Sequence, residues 1–561
     1  MPHLTKKKIK GHLYYYAREC QRVNGKVKTT WQKYLGTVEQ ILRRAEGEPT
    51  EPTEIHLTDA GEAAALYALA EELGIRELID KHIPKREQGP SVGQYMMIAA
   101  INRCMKPCGK MGIPEWLSAT PLLRWLKQPA EMFDSQGFWN HMKMVTRENI
   151  RTIETELARC VTGYYNLTLR MVLFDETNYY TFIHTFNERC TLPQRGKNKQ
   201  KRNDLRQVGL ALLVDAENQL PLFHDVYEGN RPDSKEFASI VDEMAGRLKE
   251  VREGCEGITL IMDKGKNSKT NIEKLNNEEP LHFIGSLRPT DHQQLLDVPL
   301  KNYEEQTDRE GWKVYRTEYH VFGDDYTVVI TYNEELLITQ KKTLWREVEK
   351  AHKKLSALQM KLQHPPSRGS KLTKSATEKK VGTILKARHM KALFSVSVYE
   401  TKAGIRMSYK FKRRAATRLS RRLFGKTILF TDQSEWTTKE IVESYHAQYK
   451  IEDVFRLSKD PNGVSWFPMY HWTDHNIRVH AFYCMIGLLL MGVLRIKMRE
   501  AGIEMTPERA LKHLQGITEV ARIYPDKSQR ITTNTVTPTQ KKLYDLLNLQ
   551  TWLPPLLGTT P

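Results

Sequence analysis

Asp175 and Asp263 each follow an apolar run, LRMVLF and GITLIM. Runs of that kind read as strands buried on both faces. In a parallel or mixed sheet, residues at the carboxyl ends of such strands stand side by side, where the ligands of open sheets gather. Glu452 lies far along the chain in YHAQYKIEDVFRLSK, Tyr445 to Lys459. At about 100° per residue, Tyr445, Gln448, Glu452, Arg456 and Lys459 fall within roughly a quarter turn, with Ile451, Val454 and Leu457 opposite. A helix laid across the sheet edge brings Glu452 to the two aspartates. Three carboxylates that close repel one another unless a cation neutralises them. Hard oxygen donors with open positions suit Mg²⁺ or Mn²⁺. Two such ions, about 3.5–4 Å apart, activate an attacking oxygen and stabilise the leaving oxygen of a phosphodiester. Metal-assisted phosphodiester chemistry at Asp175, Asp263 and Glu452 is the expectation.

Each of these residues also has a plainer reading. Aspartate is a common strand terminator. On periodicity alone, Glu452 and Arg456 form an i,i+4 pair on a solvated helix face. Glu176 alternates to the other side of its strand and is the lesser ligand candidate.

The charge balance points to a polyanion. Lys and Arg number 86 against 67 Asp and Glu, a net +19, which favours nucleic acid over a neutral partner. Two blocks concentrate the charge. One runs from Arg195 to Arg206 and includes Lys201 and Arg202; the other runs from Arg406 to Lys426 and includes Lys412, Arg413, Arg414, Arg421 and Arg422. The second holds nine basic residues and no carboxylate. Such blocks lie on a phosphate backbone or form a solvated face. Seven scattered cysteines imply no disulfide framework. Lysines open the chain without an apolar segment after them, so no secretory signal is read. The apolar run Ala481 to Leu494 is shorter than the ~20 residues of a membrane span and reads as a core helix. The expectation is a cytoplasmic, nucleoid-associated protein that does not contact a membrane.

The elements that must position the carboxylates follow from changes of period. Residues 1–45 read as a basic β-hairpin turning at Asn24-Gly25 and able to contact DNA. Residues 46–54 are an acidic, Pro-bearing linker, and 55–165 carry helical periodicity. From 166 to 287 the order is strand, strand, strand, helix, strand, helix, strand. That is the first part of an α/β, RNase H-like catalytic core, a mixed sheet flanked by helices. Residues 288–425 read as a large, partly β insertion, 426–500 as the second part of the core, and 501–561 as a C-terminal helical region. Arg478 and His480, on the long apolar helix, are placed near the site but outside the catalytic set.

Tyr445, Gln448, Glu452 and Lys459 have the spacing of the Tyr-Arg-Glu-Lys (Y-2-R-3-E-6-K) signature, and the chain resembles the bacterial insertion-sequence transposases of the DDE type that carry it. KRNDLRQVGLALL, YEGNRPDS, IMDKG and the long insertion before the signature are similar to blocks of that group, and the likeness extends from the N-terminal hairpin to about residue 545. The resemblance implies that Asp175, Asp263 and Glu452 are the metal-binding triad. It implies that Tyr445 and Lys459 contact phosphates near the transposon end, with Gln448 at the position the group fills with Arg. Arg456, one turn past Glu452, is the candidate to replace that charge. The implied activity is metal-dependent cleavage at insertion-sequence ends and joining of the 3′-hydroxyls to target DNA. The implied partners are double-stranded DNA, as terminal inverted repeats and target, and a second copy of the chain in a synaptic homodimer. Two other readings remain open: an RNase H-like nuclease that cuts without joining, and an inactive DNA-binding derivative.

Overall fold

The computed structural model describes residues 2–9, 11–23, 26–45, 51–84, 88–196, 202–231, 233–252, 257–277, 281–305, 311–364, 372–402, 404–525 and 527–557. Lys201, the Asn24-Gly25 turn, residues 46–50 of the linker and the break at 365–371 lie outside them. The chain divides into two compact units: Met1–Leu69 with Pro114–Met132 and Ala501–Pro561, and Ala70–Ile113 with Phe133–Glu500. The stretch 55–165, read from sequence as one helical domain, is therefore divided between them.

In the first unit, His3–Ile9, His12–Val23 and Lys26–Gly36 form a three-stranded antiparallel sheet. A second sheet pairs Glu54–Asp59 with Thr518–Ile523, which also pairs with Gln529–Thr533. These strands stand where the sequence suggested a linker end and capping helices. EIHLTD and TEVARI are short, and their partners lie more than 450 residues apart, so no local pattern announces the pairing.

The second unit is a mixed α/β structure built on a nine-stranded sheet. Its strands are β1 (Met171–Thr181), β2 (Arg206–Asp215), β3 (Leu220–Glu228), β4 (Ile258–Met262), β5 (Leu281–Leu287), β6 (Glu304–Glu305), β7 (Trp312–Val321), β8 (Asp324–Asn333) and β9 (Lys426–Thr431). Their order is β6-β7-β8-β9-β5-β4-β1-β2-β3. The pairs β1–β4 and β4–β5 are parallel and the others antiparallel. Strands β2, β4 and β8 are buried nearly throughout, the signature of strands covered on both faces.

Two sequence expectations change here. VYRTEYHV and YTVVITY, read as part of an insertion, are β7 and β8 of the main sheet. Buried Val328, Val329 and Ile330 give the reason, because β8 lies inside the sheet between β7 and β9. What separates β8 from β9 is a smaller body with its own core. There the 30-residue helix Glu334–Gln363 buries Leu344, Val348, Ala351, Leu355, Leu358 and Leu362, a three- and four-residue stripe, against Phe394, Met407, Ala416 and Phe424.

Helices of the second unit include α1 (Val92–Met105), α2 (Arg147–Tyr164), α3 (Asp233–Val251), α4 (Lys269–Asn277), α5 (Glu334–Gln363), α6 (Arg413–Leu423), α7 (Thr438–His446), α8 (Tyr449–Lys459) and α9 (Asp474–Glu500). Capping boxes at Ser91, Thr146 and Thr437 fix the starts of α1, α2 and α7. Helix α9 contains the one described stretch long and apolar enough to cross a membrane, and 94% of that window is buried within the fold. It packs on α1 and β3 as the central helix of the unit.

Candidate active site

Strand β1 carries the first carboxylate, though not at its end. Asp175 is the fifth of eleven strand residues and still pairs with Leu212 of β2. The parallel ladder to β4 is what stops there. Its last pair is Phe174 with Met262, so Asp175 and Asp263 each come one residue beyond it, Asp175 within β1 and Asp263 just past the end of β4. The sequence shows the end of the apolar run; the strand itself continues because β2 still pairs with it.

Beyond Met262 the chain turns sharply. Asp263 caps the short 3₁₀ turn Lys264–Lys266, its Oδ1 accepting from the Lys264 amide at 2.7 Å, and its side chain lies at the surface. Lys266, at the other end of the turn, points inward. Its ammonium donates to Asp175 Oδ1 at 2.9 Å, pairs with Glu176 Oε2 at 3.1 Å and reaches the Phe174 carbonyl at 3.4 Å. The Lys266 and Glu176 side chains are each only 2% exposed. Burial works against the lysine charge, but Glu176 and Asp175 outweigh it and hold the ammonium's pKa above that of a free lysine. Glu176, set aside in the sequence reading for pointing to the other face, thus meets the same cation as Asp175. The long lysine stem spans the two faces where the β1–β4 ladder ends.

The signature residues do not share one helix. α7 ends at His446 and α8 begins at Tyr449. Between them, Lys450 and Ile451 donate to the carbonyls of Ala447 and Gln448, three residues back, so the ladder tightens into a 3₁₀ step. Ala447 and Gln448 stay in the right-handed helical region, and helical periodicity carries no sign of the break. Tyr445 consequently belongs to α7, which packs on β4, β5, β8 and β9, whereas Glu452 belongs to α8, which packs on β1 and α9.

Tyr445 sits beside the second aspartate. Burial pushes its hydroxyl up to about 12; a hydrogen bond with Ser286, at the end of β5, works against the rise, and the Asp263 charge adds to it. Ser286 is itself buried, and its carbonyl accepts from Asn267 at 2.6 Å. At the other end of the signature, the Lys459 ammonium donates to the Thr177 hydroxyl and lies 5.1 Å from the centre of the Tyr179 ring. Tyr179 shares a hydrogen bond with Ser458 and stacks on Trp466 at 4.2 Å. Asp175, Thr177 and Tyr179 alternate onto one face of β1, so α8 lies across the face that bears Asp175. Ile451, Val454, Phe455 and Leu457 are buried beneath it. Glu452, seven residues before Lys459, is on the same side of the helix and exposed to solvent.

Asp175 and Asp263 therefore stand just past the last β1–β4 pair, with Tyr445 beside Asp263, Lys459 on Thr177 two residues beyond Asp175, and Glu452 on the helix that packs on β1. Among the described residues, no three His, Cys, Asp or Glu side chains converge closely enough to hold a metal. The donor chemistry of Asp175 and Asp263 suits a hard divalent ion, and their placement beyond the last β1–β4 pair suits it as well. In this arrangement Asp175 is instead met by an ammonium. Gln448 is half-buried at the step between the helices, and Arg456 is 76% exposed and paired with Asp453 at 3.0 Å. Arg478 binds Asp225 and the Val226 carbonyl, and His480 binds the Trp466 carbonyl and Tyr483. His480 is buried in the core and Arg478 is partly exposed and tied to β3, so these contacts turn both away from the expected placement near the site.

The basic blocks differ in their surroundings. Arg202 is exposed and held by Asp204 at 2.8 Å. Helix α6 is amphipathic: Ala416 and Ser420 face the insertion core, while Arg413, Arg414, Arg418 and Arg421 line a groove of ≈ 750 Å³ closed on its other side by Leu296–Leu300. Arg422 also borders it, tied to Asp297 by two contacts of 2.7 Å, and Lys412 precedes the helix. Arg418, Lys266 and Ser286 are the functional candidates absent from the sequence-derived set. Arg418 lay within the block; the other two depend on folding.

A family model described as the transposase DDE domain matches residues 181–485, more than half of the chain. The chain belongs to the DDE transposase family. Asp263 and Glu452 of the transposase fall inside the matched stretch, and Asp175 lies six residues before it. No curated protein matches it. Among solved structures, the cryo-EM structure of the piggyBac transposase synaptic complex with hairpin DNA is similar at 9% identity and a TM-score of 0.35, over 89% of this chain and 84% of that one.

Proposed function

We propose that this transposase cuts DNA at the ends of a bacterial insertion sequence and joins the 3′-hydroxyl ends to target DNA, with Asp175, Asp263 and Glu452 as its acidic triad. The observation that carries the reading is the register of β1 and β4, which puts Asp175 and Asp263 each one residue beyond the last pair of the parallel ladder, with the helix that bears the glutamate packed on β1. The order β3-β2-β1-β4-β5, antiparallel then parallel, supports an RNase H-like core. A divalent ion, Mg²⁺ or Mn²⁺ and two in number, would be held by these carboxylates and would stabilise charge on the phosphodiester oxygens.

The chain's own groups have separate tasks. Tyr445 and Lys459 bind phosphates of the element end, and Gln448 offers an amide where the related group uses a guanidinium. Arg456 adds a diffuse charge from the solvent side, and Arg202 and Lys201 also bind DNA backbone. Arg413, Arg414 and Arg421, with Lys412 and Arg422, hold the backbone along the α6 groove. The protein acts as a synaptic homodimer on the nucleoid in the cytoplasm. Incubating the purified chain with Mg²⁺, a terminal-repeat duplex and a target plasmid tests the reading. Strand-joined products are expected; cleavage without joined product would make the chain a nuclease, and neither would make it a DNA-binding relic.

A further inference from the structure

We propose that Lys266 is the built-in counter-cation of Asp175 and competes with a divalent ion for that carboxylate. The inference rests on the reading of Asp175 as a metal-binding carboxylate. A lysine ammonium has three donors, and all three find acceptors: Asp175 Oδ1 at 2.9 Å, Glu176 Oε2 at 3.1 Å and the Phe174 carbonyl at 3.4 Å. The Nζ also lies 4.7 Å from the centre of the Phe174 ring. With 2% of its side chain exposed, the lysine is out of reach of bulk water. A cation in such a place persists only while carboxylates flank it.

A divalent ion bound at Asp175 Oδ1 would face that ammonium at van der Waals range, and like charges repel strongly in a partly desolvated site. The ion gains Asp175 only if the ammonium withdraws. The geometry supplies a place to withdraw to, because Glu176 stays beside it when Asp175 is released. The backbone need not move. The Lys266 amide is fixed to the Asp263 carbonyl at 3.1 Å and the Lys266 carbonyl to Asn271 at 2.7 Å, so one rigid turn presents Asp263 to the surface and Lys266 to the interior. Lys266 thus lowers the affinity of the transposase for its ion and keeps Asp175 in place when no ion is bound.

Mn²⁺ binding to the full-length protein without DNA, followed by the electron paramagnetic resonance of the free ion, tests this independently of catalysis. Lys266→Gln, which removes the charge, is expected to bind Mn²⁺ at least tenfold more tightly than the wild type, with Asp175→Asn in the same chain abolishing the gain. Glu176→Gln, which removes the retreat, is expected to weaken Mn²⁺ binding at least threefold. Unchanged or weaker binding by folded Lys266→Gln overturns the proposal. If that variant does not fold, unchanged or tighter binding by Glu176→Gln overturns it. Wild-type affinity in both Asp175→Asn and Asp263→Asn would instead overturn the metal-binding reading itself.

Discussion

The ammonium of Lys459 donates to the hydroxyl of Thr177, two residues along β1 from Asp175. With the Ser458–Tyr179 bond beside it, this contact stitches α8 to the strand. Thr177→Val keeps the β-branched shape and removes the acceptor. Loss of a fixed geometry of about 1 Å costs on the order of 10²-fold in rate. The variant should cleave end DNA 10- to 100-fold more slowly at saturating DNA, with its melting curve unchanged. A wild-type rate would mean that Lys459 serves DNA alone and does not position the helix.

Among the described residues, no cationic side chain contacts the Asp263 carboxylate, whose Oδ1 accepts from the Lys264 amide of its own turn. Replacing it should therefore leave the fold intact while removing one carboxylate of the proposed triad. Asp263→Ala is expected to lower strand cleavage by at least 10³-fold with retained thermal stability; unaltered cleavage would show that the catalytic carboxylates lie elsewhere.

Much of this arrangement could be read from the sequence, for identifiable reasons. The apolar runs before Asp175 and Asp263 follow from burial on both faces, and burial leaves a mark in composition. The arginine face of α6 is equally visible, since Arg413, Arg414, Arg418 and Arg421 recur on one side of three turns. What stayed hidden depends on partners distant in sequence. The Lys266 contact needs the β1–β4 register, the strand Glu54–Asp59 needs Thr518–Ile523, and the step at Ala447–Gln448 comes where the packing passes from β5 to β1. Nothing in DKGK or YHAQYK by itself reports those neighbours.

The α6 groove should behave as a backbone-binding surface. Log affinity falls with log salt with a slope of about −0.9 for each phosphate neutralised. Changing Arg413, Arg414, Arg418 and Arg421 to Gln should flatten the slope by about 0.9 for each phosphate that these guanidinium groups neutralise in the wild type, uniformly across DNA sequences. Arg422→Gln should act differently, because its guanidinium is anchored to Asp297 and its removal loosens the packing of the helix. An unchanged slope in the fourfold variant would leave the groove as a solvated face.

Gln448 offers a test by gain. Its amide makes ordinary hydrogen bonds, whereas a guanidinium in the same place makes charge-assisted, forked ones about twice as strong. Gln448→Arg should tighten binding of end DNA by about tenfold at physiological salt, measured by fluorescence anisotropy, and increase the salt dependence by about one phosphate. No change in either quantity would place position 448 away from the DNA.

Acid sensitivity should arise in the core. His471 and His480 are buried beside Arg103 and Lys110, and Lys110 lies 4.1 Å from the centre of the Tyr483 ring. Burial first, then the Lys110 and Arg103 charges, push the His471 imidazole down to about 3. An unfolded histidine takes up a proton near 6.5, so the unfolded state binds more protons than the native state between pH 6.5 and 3. Stability due to this group is complete above about 6.5 and falls by about 1.4 kcal/mol for each pH unit below it, until the folded value is reached. The denaturation midpoint should therefore drop steadily from pH 6.5 to 4, and His471→Gln, which has no such proton to gain, should show a shallower fall. Parallel curves for the two proteins would assign the acid sensitivity to other groups.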